Sequence, residues 1–175
     1  MTAGSRLTSD AALSGRLAPL AAIPGLVLAD FSRFVQRSRR RSSAELEQLA
    51  PGLPGRDVIT ALVAGLLQRG RGLPSALRVA RQLVLERLCV LDVEQGATVG
   101  EITRAMTDLA EAALELALQQ AFAEQDARHG APLNAAGHRI DFWVGGMGKL
   151  GARELNVSSD IDLVYVYEEI GRAHV

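Results

Sequence analysis

Apolar residues recur at helical spacing through four stretches of this chain, and the pattern then changes to short β-branched and aromatic runs. Between Leu26 and Val35 the residues Leu28, Phe31, Phe34 and Val35 share one side of a helix, followed by the basic run Arg37-Ser38-Arg39-Arg40-Arg41. That run is expected to be a solvated helix end. Residues 57–69 repeat the spacing through Val58, Leu62, Leu66 and Leu67, bounded by Pro54-Gly55 before and by Gly70 and Gly72 after. From Ser75 to Val93, Leu77, Ala80, Val84, Leu88 and Leu91 line one face, with Arg78, Arg81, Gln82 and Arg87 mostly on the other. This predicts an amphipathic helix of about five turns. A longer helix is predicted from about Thr98 to Arg128, with Ile102, Met106, Leu109, Ala113 and Leu116 as its stripe. Thr98 and Glu101 stand at capping-box spacing at its start. Such stripes are helix-packing faces, so they are assigned to core.

The texture changes at Arg139. Ile140-Asp141-Phe142-Trp143-Val144 runs straight into glycines and predicts a strand entering a tight turn. Lys149 to Leu155 has helix-forming composition with room for about two turns, and a second strand is predicted over Ile161–Tyr167. The first 25 residues are rich in Ala, Gly, Ser and Pro and suggest a loose start or a short helix ending near Pro24-Gly25. The expected class is α+β, with a partly helical lead-in over residues 1–54, a helical region over 55–138 and the start of a sheet-containing domain over 139–169.

Composition narrows the functional classes. A length of 175 residues suits one domain with a helical lead-in. A formal net charge of -1 gives no global field to draw the chain onto nucleic acid or an anionic membrane. No apolar run is long enough to cross a bilayer and no export leader is visible, so a cytoplasmic protein is expected. The single cysteine, Cys89, fits a reducing compartment and a buried apolar position. His129 and His138 flank the loop before the first strand, lack a second ligand at metal-binding spacing, and are expected in solvent.

The residues that can carry chemistry lie between Val144 and Tyr167, and two readings compete for them. In the first, Gly146, Gly148 and Gly151 match the G-x-G-x-x-G of a dinucleotide-binding βαβ unit, with Glu168 near the offset of a ribose-binding acid. The connection from Gly151 to the next strand is short for the crossover this needs. In the second, the glycines bring backbone N–H groups close to phosphate, and Asp160 and Asp162 share one face of a strand start while Ile161 and Leu163 point inward. Two neighbouring carboxylates repel unless a cation lies between them. Hard oxygen ligands suit Mg²⁺ or Mn²⁺. Ser159 offers a hydroxyl to phosphate and Lys149 a positive charge.

Gly146-Met147-Gly148-Lys149-Leu150-Gly151, followed by Arg153-Glu154-Leu155-Asn156-Val157-Ser158-Ser159-Asp160-Ile161-Asp162-Leu163, resembles the signature of the glutamine synthetase adenylyltransferase family. The resemblance is to the first of that family's two nucleotidyltransferase domains, which removes AMP from glutamine synthetase. It implies a mostly helical region leading into the first strands of a nucleotidyltransferase sheet. It further implies metal on Asp160 and Asp162, phosphate contacts from Gly146, Gly148 and Ser159, and attack of inorganic phosphate on the adenylyl-tyrosine linkage to release ADP. Glutamine synthetase and, for a whole enzyme, the PII signalling protein are the implied partners. Ala152 departs from the glycine of many relatives, a change that a helical backbone tolerates. The fold's third carboxylate comes from a later strand, so the chain is expected to be a truncated fragment, inactive alone. Residues 170–175, Ile-Gly-Arg-Ala-His-Val, break the strand pattern and are expected to be a non-native tail. A helical surface that docks glutamine synthetase without catalysis is the remaining alternative.

Overall fold

The computed structural model describes residues 27–170. The Ala- and Gly-rich start over residues 1–25, and all but the first residue of the suspected tail, lie outside the described residues. The observed class is the expected α+β: six helices precede or interrupt one two-stranded sheet among the described residues.

The first predicted helix is divided. Leu28–Phe31 form a single 3-10 turn, Ser32 is extended, and α1 runs from Arg33 to Arg41. Ser32 breaks the run because its hydroxyl accepts the N–H of Val35 at 3.4 Å, an N-cap that starts a new helix. The basic run is not simply a solvated end. Arg39 reaches α4 and bonds Glu86 through Nε at 2.7 Å, and Ser38 is fully buried beneath Gln82, whose amide donates to its hydroxyl at 3.2 Å. A one-turn α2, Ser43–Leu46, follows.

Three longer helices build the core: α3 (Arg56–Gln68), α4 (Leu73–Gln95) and α5 (Val99–His129). Their bounds follow the periodicity closely because their ends are chemically marked. Pro74 stands in the first turn of α4, and Gly96 ends it in the left-handed region at φ 65°. Thr98 and Glu101 form the full capping box, with the Thr98 N–H donating to Glu101 Oε2 at 2.7 Å. Ala80, Val84, Leu88 and Leu91 are buried as the stripe requires, and Leu77 is half-buried. Cys89 is half-buried, one position off that stripe, and not the core residue expected. One core cluster joins Ile59 of α3, Val84 and Leu88 of α4, and Met106 and Leu109 of α5 to Leu150 and Leu155. The last two come from the glycine-rich segment, so the candidate site is anchored in the helical core by apolar burial.

The sheet is a hairpin-like pair, β1 (Phe142–Gly146) and β2 (Leu163–Tyr167), antiparallel with Gly146 opposite Leu163 and Phe142 opposite Tyr167. Both strands start two residues later than predicted. Phe142 locks β1 to the far end of α5, its ring meeting Phe122 edge-on at 5.4 Å. Arg139 reinforces the junction, lying 4.9 Å over the Phe122 ring and bonding Asp126 at 2.6 Å. No described helix is long and apolar enough to cross a membrane.

Candidate nucleotidyltransferase site

β1 ends in the glycine turn, and two close approaches and one backbone angle explain why glycine stands at three positions there. A Cβ on Gly146 would lie 2.7 Å from Leu150 Cγ, and one on Gly151 would lie 2.5 Å from the carbonyl oxygen of Gly146. Gly148 has φ +54°, a conformation that L side chains resist. The turn therefore folds back on the strand end with no room for a side chain at Gly146 or Gly151. A four-residue helix, α6 (Gly148–Gly151), follows, half the length expected of Lys149–Leu155. It stops because Arg153 adopts φ 60°. The Arg153 guanidinium holds that conformation by bonding Asp108 at 2.7 Å and Glu111 at 2.8 Å, both on α5. Two residues on, the buried Leu155 donates its N–H to Thr107 Oγ1 at 3.2 Å.

These anchors bring the backbone of the segment that carries Asp160 and Asp162 to the glycine turn. The N–H of Met147 donates to the carbonyl of Asp162 at 2.9 Å, extending the strand pairing by one bond. Asp160 and Asp162 thus sit in the lead-in to β2 and not within the strand, because pairing with β1 ends at Leu163. Leu163 is half-buried against the core as expected, whereas Ile161 is 38% exposed and does not point inward. Asp160, Asp162 and Lys149 are exposed, and no ion pair among the described residues uses any of them. Ser159 is half-buried and its hydroxyl bonds Asn156 Oδ1, so that side chain must turn to reach a phosphate.

Among the described residues no three His, Cys, Asp or Glu side chains gather into a metal cluster. Two unpaired carboxylates one residue apart fit part of the coordination of a hard divalent cation and leave positions open for water and phosphate oxygens. The dinucleotide reading fails on topology. A βαβ unit has parallel strands, and β1 and β2 are antiparallel. Glu168 also lies beyond the Phe142 end of the pair, away from the glycines, where its carboxylate accepts from Asn134 at 3.1 Å. His129 and His138 are exposed, as expected.

Sequence reasoning did not find Thr107 or Arg153 as the residues that hold this segment. Thr107 sits within a helix stripe, and nothing in its spacing marks a hydroxyl aimed at a segment 48 residues away. Nor did it place Arg78 and Arg81 of α4 in one groove with Ser159 and Asp160.

The chain is thus an α+β protein in which a glycine turn, bonded to a lead-in that carries two aspartates, is mounted on a helical core. The family model for glutamate-ammonia ligase adenylyltransferase matches residues 27–174, and the chain belongs to that family. It is 39% identical over 155 residues to a bifunctional glutamine synthetase adenylyltransferase/adenylyl-removing enzyme of Burkholderia mallei, covering 83% of this chain and 17% of that protein. The Ralstonia nicotianae protein of the same name is 38% identical over 160 residues, covering 85% and 17% respectively. The Pseudomonas putida protein of that name is 41% identical over 133 residues, covering 74% and 13%. The chain therefore spans about a sixth of the length of the first relatives it matches.

Proposed function

We propose that this chain carries the opening part of the site that removes AMP from adenylylated glutamine synthetase by Mg²⁺-dependent phosphorolysis. The observation that supports the reading is the 2.9 Å bond from Met147 N–H to the backbone carbonyl of Asp162, which ties the glycine turn to the segment that carries the two aspartates. Asp160 and Asp162 are the metal-holding residues, with Mn²⁺ an acceptable substitute for Mg²⁺. Gly146 and Gly148 are the phosphate-contacting glycines, of which Gly148 is the open one, with nothing within 4 Å of its Cβ position; Lys149 adds positive charge, and Ser159 donates once it leaves Asn156. A bound divalent cation there supplies charge neutralisation for the attacking and leaving oxygens. The protein's share is placement: phosphate and the adenylyl phosphorus are held within reach, so the reaction needs no covalent intermediate. A phosphate oxygen bonds to the adenylyl phosphorus, the tyrosyl oxygen–phosphorus bond breaks, and the tyrosine oxygen leaves and takes a proton, giving ADP. The setting is the cytoplasm, with PII as a regulatory partner of a whole enzyme.

The test is nucleotide binding with and without Mg²⁺ in the chain and in Asp160→Asn/Asp162→Asn. Binding that Mg²⁺ strengthens in the parent and not in the variant supports the reading. Equal Mg²⁺ dependence in both overturns it, and if glutamine synthetase is then still bound, a docking role replaces it.

A further inference from the structure

A groove of about 320 Å³ opens between α4, α5 and the segment that leads into β2. Its floor is apolar and includes Met106 and Leu109, and its rim carries Arg78, Arg81, Ser159 and Asp160. We propose that this groove binds a nucleoside monophosphate group, with Arg78 and Arg81 holding its phosphate and the apolar floor taking its base. The identity of the ligand rests on the proposed function; the location of the site does not.

Three arginines of the neighbouring elements are committed to other partners. Arg153 bonds Asp108 and Glu111, Arg56 bonds Glu111 and Glu115, and Arg87 donates to the carbonyls of Leu49 and Ala50. Arg78 and Arg81 have no hydrogen-bond or ion-pair partner among the described residues. They stand three apart on one helix, so their like charges are neighbours and repel. A phosphate between them removes that repulsion and accepts from both planar guanidinium forks, which suit its geometry. With Asp160 on the opposite rim the charged groups sum to a net positive site, more so once a cation neutralises that carboxylate. The volume stands at the lower end of small-molecule sites, and an apolar floor with few polar rim groups is the usual composition of a site for a flat, weakly polar group. Inorganic phosphate has nothing to place on that floor, so a nucleotide is favoured over the free ion.

The decisive experiment is equilibrium dialysis of the 175-residue chain against AMP, inorganic phosphate and adenosine, in EDTA and then in Mg²⁺. In EDTA, AMP is expected to bind more tightly than phosphate. Arg78→Gln/Arg81→Gln is expected to weaken AMP about tenfold or more while adenosine changes little, as loss of charge-assisted bonds requires. Arg78→Lys/Arg81→Lys is expected to restore part of the loss. Both arginines are exposed, so an unchanged thermal midpoint shows that the variants fold. AMP binding unaffected by the glutamine pair, or phosphate binding as tight as AMP, overturns the proposal. Failure of the metal site alone looks different: AMP still binds in EDTA, and only the Mg²⁺ enhancement is missing.

Discussion

The hydroxyl of Thr107, fully buried in α5, accepts the N–H of Leu155 at 3.2 Å and donates to the carbonyl of Thr103 at 2.9 Å. One side chain thereby satisfies a buried donor on the segment that carries Asp160 and Asp162. Thr107→Val keeps the shape and removes the acceptor, leaving the Leu155 N–H buried and unpaired. The expected loss is about 1–3 kcal/mol in denaturant unfolding. Thr107→Ser keeps the hydroxyl and is expected to lose less. A valine variant as stable as the parent would show that the bond contributes nothing.

Gly151→Ala tests the close fold-back of the glycine turn. The new Cβ would meet the Gly146 carbonyl oxygen at 2.5 Å, and backbone cannot swing aside as a long side chain can. A cost of about 1–3 kcal/mol is expected from overpacking, together with weaker Mg²⁺-dependent nucleotide binding because the turn moves relative to Asp162. Gly100→Ala, where a Cβ meets nothing within 4 Å inside α5, is the control and is expected to be neutral or slightly stabilising.

Much of this architecture was legible because local chemistry and tertiary packing agree. The Thr98/Glu101 box marks the start of α5, and the stripe through Met106 and Leu109 faces the core it predicts. The glycine turn and the acidic pair were legible as a linear motif, and a backbone bond from Met147 to Asp162 ties the two segments together. What periodicity could not show is where long-range partners interrupt it. Ser32 caps a new helix inside an apparently continuous stripe. Arg39 looks like one more solvated charge until Glu86 is found beneath it. α6 is short because Arg153 turns left-handed, a conformation its residue type does not favour and that carboxylates 45 and 42 residues away sustain. The strand starts shifted because ladder pairing, and not β-propensity, decides where a strand begins.

Arg39→Ala probes the buried acid. Glu86 is 4% exposed, and its hydrogen bond to Arg39 drives the arginine's pKa above its ordinary value. Removing the guanidinium leaves a carboxylate in the core without its cation. Loss of a fully buried pair costs several kcal/mol, but the Arg39 side chain is 38% exposed and partly screened. About 2 kcal/mol is the expected loss. Arg39→Ala/Glu86→Gln is expected to recover part of it, and failure to recover any would mean that Glu86 is not the source of the penalty.

The capping box gives a pH signature. The Glu101 carboxyl is held below the ordinary carboxylate range, first by the N–H of Thr98 and then by its hydroxyl. A group with a depressed folded pKa stabilises fully above its unfolded pKa, about 4.3 for glutamate, and loses that contribution as pH falls through the folded value. Glu101→Ala is therefore expected to melt below the parent at neutral pH, with the gap narrowing under acid. Thermal midpoints measured from neutral to acidic pH check this, and a gap independent of pH would remove the ionised cap from the account.

Arg153 sets two effects of similar size against each other, and two variants separate them. Its φ of 60° costs a non-glycine residue about 1 kcal/mol or more, while its bonds to Asp108 and Glu111 come from a guanidinium 42% exposed. Half-exposed pairs of this kind contribute about 0–1 kcal/mol each. Arg153→Ala loses the bonds and keeps the strain, so it is expected to be clearly destabilised. Arg153→Gly loses the same bonds and relieves the strain, so it is expected to unfold about 1 kcal/mol later than the alanine variant and close to the parent. If glycine is no better than alanine, the left-handed turn is not what limits this position. The ion pairs to α5 would then be what hold the acidic segment in place, and Asp108→Asn, which breaks one of them without touching the bond between Arg56 and Glu111, would reproduce part of the effect.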